Sequence, residues 1–214
     1  MLVLRTSLTA LTAAAVLLAG AGTALAAPAD SSGQASRLAA SSTAAVSRFD
    51  DGSFETPKVK PNTFDGFAAG QSFGPWKVAS GTVDLIGAGY WQAAEGDQSL
   101  DLNGNDAGAV SQTFTTRPGT RYTVTYSLAG NPELDHVPPL KTGKVLIDDQ
   151  NFQDFSFNVT GKTKTNMGYV RRQLTFVATG ASTTLTFAST TLHSATGPVI
   201  DDVMVERCKP DCCD

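Results

Sequence analysis

Beyond residue 48, large apolar residues recur at every second position through most of the chain. In the stretch from Tyr122 to Leu128, residues 122, 124, 126 and 128 project to one face while Thr and Ser take the other. A two-residue period marks a half-buried strand, because successive side chains on extended backbone point to opposite sides. Residues 184–187 repeat the pattern, and further β-type runs cover 76–86, 99–102, 110–115, 144–147, 152–159, 169–177 and 199–205. Between them lie turn formers: Asn103-Gly104-Asn105, Pro118-Gly119, Asn131-Pro132, Thr160-Gly161 and Thr179-Gly180. No segment of useful length after residue 48 carries the 3.6-residue period of an amphipathic helix. About nine alternating strands predict an all-β fold, an antiparallel β-sandwich formed as a single domain.

The pattern stops at both ends. Residues 1–26 carry Arg5, an apolar run from Leu8 to Ala19 and an Ala24-Leu25-Ala26 cleavage signal, which together predict a secretory leader. The run is shorter than the roughly 20 apolar residues of a membrane-spanning helix, so no transmembrane anchor is expected. Residues 27–48 are rich in Ala and Ser with almost no large apolar side chains, as in a flexible linker that cannot offset its own ordering entropy. The sandwich then occupies 49–206 and a cysteine-containing tail 207–214.

Charge and cysteine placement narrow the partners. The formal net charge is −4, with no Lys/Arg cluster, which argues against nucleic acid and anionic membrane surfaces. Cys208, Cys212 and Cys213 all fall in the last seven residues, so no disulfide framework threads the core. One bridge from Cys208 to Cys212 or Cys213 would leave a third thiol, either held in the tail of a monomer or linking two chains. A secreted protein, extracellular or attached to the cell surface, is expected.

Specific residue blocks resemble a known family. Asp51-Gly52-Ser53-Phe54-Glu55, the run Trp76 to Ile86, the block Tyr90 to Gly104, the block Gly108 to Phe114 and the closing Val199-Ile200-Asp201-Asp202-Val203 are similar to the DUF642 and choice-of-anchor C families. The resemblance spans about residues 49–206. It implies a jelly-roll sandwich of the galactose-binding type, extracellular and without catalytic machinery. It further implies a role in binding polysaccharide or cell-wall glycan, with a wall enzyme as a further partner. An extracellular structural or protein-interaction module without glycan binding is the alternative, and a secreted hydrolase the third reading.

The resemblance also implies a structural Ca2+ tying the first strand region to the last, with Glu55, Asp201 and Asp202 as candidate ligands. A hard cation wants several oxygens, carboxylates among them. By alternation Asp201 shares a face with Val203 and Val205 while Asp202 points away. An inward carboxylate is costly unless a cation or hydrogen-bond donors meet it. Asp97 and Asp101 are the other acids expected nearby.

For a sugar ligand, Tyr90 and Trp91 are the candidate stacking residues, with Gln92, Asn103 and Asn105 as polar partners. Aromatic faces suit the C–H side of a pyranose, and amides read its hydroxyls. Trp76 opens a strand and is expected in the core. The stretch Gly70-Gln71-Ser72-Phe73-Gly74 spells a serine-hydrolase elbow, but that motif needs a strand before it and a helix after it. Pro75 and the alternating run from Trp76 predict a loop leading into a strand instead. Glu55, Glu95 and Asp101 carry no surrounding glycosidase motif, so a catalytic carboxylate pair is not expected.

Overall fold

A computed structural model describes residues 49–133 and 138–208. The predicted leader, linker and tail cysteines Cys212 and Cys213 lie outside the described residues. Twelve strands follow one another: β1 (Phe64–Ala68), β2 (Ser72–Phe73), β3 (Trp76–Ser80), β4 (Thr82–Ile86), β5 (Ser99–Asp101), β6 (Ala109–Thr115), β7 (Arg121–Gly130), β8 (Leu140–Ile147), β9 (Gln150–Asn158), β10 (Val170–Val177), β11 (Ser182–Ser189) and β12 (Pro198–Arg207). They form two six-stranded antiparallel sheets, ordered β1-β4-β5-β12-β7-β10 and β2-β3-β6-β11-β8-β9. From β5 onward the strands interleave as β5-β12-β7-β10 opposite β6-β11-β8-β9, which is the winding of a jelly roll. Among the described residues no helix is long and apolar enough to cross a membrane.

Alternation builds the core between the sheets. Tyr122, Val124, Tyr126 and Leu128 of β7 are all buried, as are Leu85, Leu100, Phe114 and Phe187. Trp76 has no exposed surface; its ring lies 5.0 Å from Phe54 and 6.4 Å from Phe187, and its Nε1 donates to the Asp51 carbonyl at 2.9 Å. Truncating a ring so enclosed costs about 3–5 kcal/mol.

Three expectations are corrected. None of the runs read from alternation covers residues 63–70, yet β1 lies there. Its side chains are mostly exposed, so it lacks the apolar alternation of an inner strand and is held by backbone pairing to β4. The run 76–86, expected as one strand, breaks at Gly81 into β3 and β4, which join different sheets. Gly81 takes φ +61°, and a Cβ there would lie 2.9 Å from the backbone of Gly108. The Ser72 loop is a tight hairpin, with Ser72 and Phe73 paired to Lys77 and Trp76 around Gly74-Pro75. A strand rather than a helix follows, so the geometry of a nucleophile elbow is absent.

The third correction concerns β12. Its register shifts between Asp201 and Met204, and Asp202 takes φ +50°. Ile200 and Val205 pair with the core residues Leu128 and Val124, whereas Asp201 pairs with Ser127. The bulge therefore uncouples Asp201 from Val203 and Val205 and sends it to the outer face of the sheet.

Candidate functional site

The site rests on that outer face. Leu85 and Leu100 point into the core from β4 and β5, so their neighbours Asp84, Ser99 and Asp101 point outward. The segment 87–98 folds back over them. Asp201 Oδ2 accepts the N–H groups of Ala94 (2.7 Å) and Glu95 (3.0 Å). Glu55 Oε1 accepts those of Asp97 (2.7 Å) and Gln98 (2.8 Å). Gln98 donates to the carbonyls of Phe54 (2.6 Å) and Pro57 (3.0 Å) and accepts from Val59 N (2.7 Å). Trp91 Nε1 donates to Ser99 Oγ at 2.8 Å.

So pinned, the segment closes one side of a cleft of about 380 Å3. Phe64 and Gly66 of β1 form the opposite wall, with Asp84, Ile86 and Asp101 between. Asn105, Asn131, Glu133 and Thr196 contribute from loops. The Tyr90 ring is half-buried and edge-on to Phe64 (5.8 Å) and Trp91 (5.4 Å). Lys164 Nζ lies 4.0 Å from the Tyr90 ring centre and 2.6 Å from Glu133 Oε1, so its charge is matched at the rim.

The two central carboxylates differ in their partners. Asp101 is 1% exposed; its Oδ1 accepts Asn103 N (2.9 Å) and Gly197 N (3.1 Å), and its Oδ2 accepts Asn131 Nδ2 (2.8 Å). Burial pushes its pKa up to about 7, a rise that these donors oppose and the Asp84 charge reinforces. Asp84, its direct cross-strand neighbour, accepts no hydrogen bond among the described residues, and burial raises its pKa to about 6. Lys141 is buried behind the loop and donates to Thr196 Oγ1 at 2.7 Å. Burial lowers its pKa, against the pull of Asp101.

Of the predicted sugar contacts, Tyr90, Trp91 and Asn105 line the cleft, whereas Gln92 and Asn103 do not. Trp91 is only 5% exposed, so its ring supports Tyr90 rather than offering a face. Gln92 accepts Met167 N at 3.2 Å, tying two loops together. Asn103 is 0% exposed and donates to the carbonyls of Thr191 (2.8 Å) and Ser194 (2.7 Å), which makes it a loop brace. Asp84, Asn131 and Glu133 were not foreseen at this site. The alternation of residues 82–86 puts Asp84 opposite Val83 and Leu85, which is a usable signal.

The three acids expected to share a Ca2+ do not converge. Glu55 is taken by two backbone N–H groups and Lys58, Asp201 by Ala94 and Glu95, and Asp202 by Arg171. Among the described residues no group of three or more His, Cys, Asp or Glu side chains could hold a metal ion. The donors that an inward Asp201 was expected to need are backbone amides, so these residues do not fit a shared cation.

A larger recess of about 560 Å3 lies across β8, β9 and β10, lined largely by hydroxyl, amide and charged groups such as Thr142, Gln153 and Arg172. It holds none of the predicted contacts and no half-exposed ring, so the Tyr90 cleft is the better candidate.

Comparison with known proteins gives the following likenesses. The chain is 31% identical over 132 residues to Halomucin of Haloquadratum walsbyi, a match covering 61% of this chain and 1% of Halomucin. The chain thus spans only a small fraction of that curated relative's length. Among solved structures it is similar to the CBM22-1 xylan-binding domain of Paenibacillus barcinonensis Xyn10C, with a TM-score of 0.43 and 15% identity over 70% of this chain and 97% of that one. It is also similar to CBM35 from Paenibacillus barcinonensis, with a TM-score of 0.41 and 12% identity over 66% of this chain and 98% of that one. A family model described as "Protein of unknown function (DUF642)" matches residues 47–206. The chain belongs to the DUF642 family.

Proposed function

We propose that the Tyr90 cleft binds a glycan and that the chain acts as a non-catalytic carbohydrate-binding module outside the cell. The observation that carries this reading is the placement of two accessible aromatic rings, Tyr90 and Phe64, beside convergent acceptors and amides, Asp84, Asn105 and Asn131, in one cleft. A pyranose presents both surfaces such a cleft needs: C–H groups for the ring and hydroxyl donors for the acceptors. The volume of about 380 Å3 falls in the range of small-ligand sites. Glycoside hydrolysis needs two working carboxyl groups flanking the bond. Both oxygens of Asp101 are taken by protein donors, leaving Asp84 as the one unengaged carboxylate on the cleft's β-strand face. That favours binding over catalysis.

Export rests on the leader read in residues 1–26, and N-terminal sequencing of protein recovered from culture medium should begin near Ala27. The binding test is retention of the secreted protein on a panel of soluble and insoluble polysaccharides. Tyr90→Ala should weaken retention about tenfold on any polymer that binds, the loss of one stacking contact. Unchanged retention of that variant on every such polymer would remove the cleft from consideration.

A further inference from the structure

The Tyr90 cleft does not end at Asp84. A second chamber of about 210 Å3 lies beyond it, walled by Phe67, Ala68, Gln71 and Thr82. The two chambers share Gly66, Asp84, Gly104 and Asn105. The Asp84 carboxylate therefore stands at a neck, open to both sides.

Gly66 keeps that neck open. It faces Asp84 directly in the β1–β4 register, and its backbone has no positive φ that would demand glycine. A Cβ at 66 would meet one atom within 4 Å, Asp84 Oδ1 at 3.3 Å. On an exposed edge strand, where a larger residue would suit the backbone better, the missing side chain leaves a notch over the carboxylate. Gly104, on the other side, would place a Cβ 3.1 Å from the same oxygen, though it would also press on Thr82.

The chemistry of the lining selects the occupant. Both chambers are acidic or neutral: Asp84, Asp101 and Glu133 line them, no Lys, Arg or His does among the described residues, and Lys164 at the rim over Tyr90 is paired with Glu133. Asp101 is already met by three protein donors, whereas Asp84 accepts none. An unengaged, partly buried carboxylate wants donors from its ligand and repels a second carboxylate.

Building on the glycan-binding reading, we propose that the two chambers form one groove for an internal stretch of uncharged glycan at least two sugar units long. In this groove Asp84 is the specificity-determining acceptor, reading hydroxyls on the units either side of the neck. Chains carrying carboxylates are rejected there.

Calorimetry with β-1,4-linked gluco-, galacto- and xylo-oligosaccharides of one to six units tests this, with C6-carboxylated forms of the hexose series alongside. For the series that binds, affinity should rise at least tenfold between one unit and three and then level off. The carboxylated chain should bind at least tenfold more weakly. Gly66→Ala, which caps Asp84 without changing charge, and Asp84→Asn should each weaken binding of the trimer about tenfold, the range of one hydrogen bond to a charged group. Thermal melts of both variants establish that they fold, and Asp84→Asn stands if Gly66→Ala does not. Equal affinity for one and three units, equal binding of the carboxylated chain, or wild-type affinity in both folded variants would overturn the proposal. If Tyr90→Ala abolishes binding under those outcomes, the cleft assignment survives and only the groove fails. Should Tyr90→Ala also bind normally, or the wild type bind none of the probes, the cleft assignment fails with it.

Discussion

At the scale of single residues, the buried acids decide most of the molecule's sensitivity. Asp201 does the work first expected of a cation's ligand by capping two backbone amides of the segment that carries Tyr90. Replacing it with Ala leaves both amides unmet beneath the loop and should lower stability by about 2–4 kcal/mol in urea unfolding, with glycan affinity falling in parallel. An unchanged unfolding midpoint would contradict that role. Burial raises the pKa of Asp84 to about 6 and of Asp101 and Asp201 to about 7, so each holds its proton more tightly folded than unfolded. Their contribution is full below the ordinary carboxyl range near pH 4 and is lost as pH rises through about 6 to 7. Glu55 acts in the opposite sense. Burial raises its pKa, but Lys58 and the amides of Asp97 and Gln98 outweigh that, so its contribution is lost on acidification. Stability should therefore peak near pH 4, with a higher urea midpoint at pH 5 than at pH 8. Asp84→Asn should flatten that fall, and a midpoint rising steadily from pH 5 to 8 would oppose the assignment.

At the scale of elements, what could be read from sequence was whatever side-chain alternation controls. The strand at 122–128 announces itself because four large residues share its inner face, and all four are buried. β1 is silent because backbone pairing holds it, and backbone pairing leaves no mark on side chains. The break between β3 and β4 hinges on Gly81, whose φ of +61° suits glycine and whose missing Cβ admits the backbone of residues 107–108. Gly81→Val should cost about 2 kcal/mol or more, read as a lower melting temperature. The bulge at Asp202 defeated simple alternation in the same way, since one extra residue exchanges the two faces of a strand. The cleft was half legible for a related reason. Tyr90, Trp91 and Asn105 signal themselves by residue type, whereas Asn131 and Glu133 arrive through a turn after β7 that only the completed topology brings near.

At the scale of the whole molecule, hydrogen bonds between distant segments take the place that a metal tie was expected to fill. Val203 N donates to the Gly52 carbonyl at 2.9 Å, and Gln112 accepts Asp50 N at 2.9 Å and returns a bond to the Asp50 carbonyl at 2.9 Å. These bonds join the start of the fold to its last strand and to β6. Treatment with EDTA should therefore leave the melting temperature unchanged, and a fall restored by Ca2+ would show that a cation contributes after all.

The strand order has a further consequence. Arg207 pairs with Tyr122 at one end of β7, while Pro198 pairs with Gly130 at the other, beside Asn131 and the cleft. Phe49 packs edge-on to Phe114 near the end of β6, which leads into the same turn as the start of β7. The first and last described residues thus share one pole, and the cleft lies near the other end of β7, about 30 Å away. Copies strung together through that shared pole would display their clefts freely, and a polymer crossing several of them would be held by avidity rather than by any single tight contact.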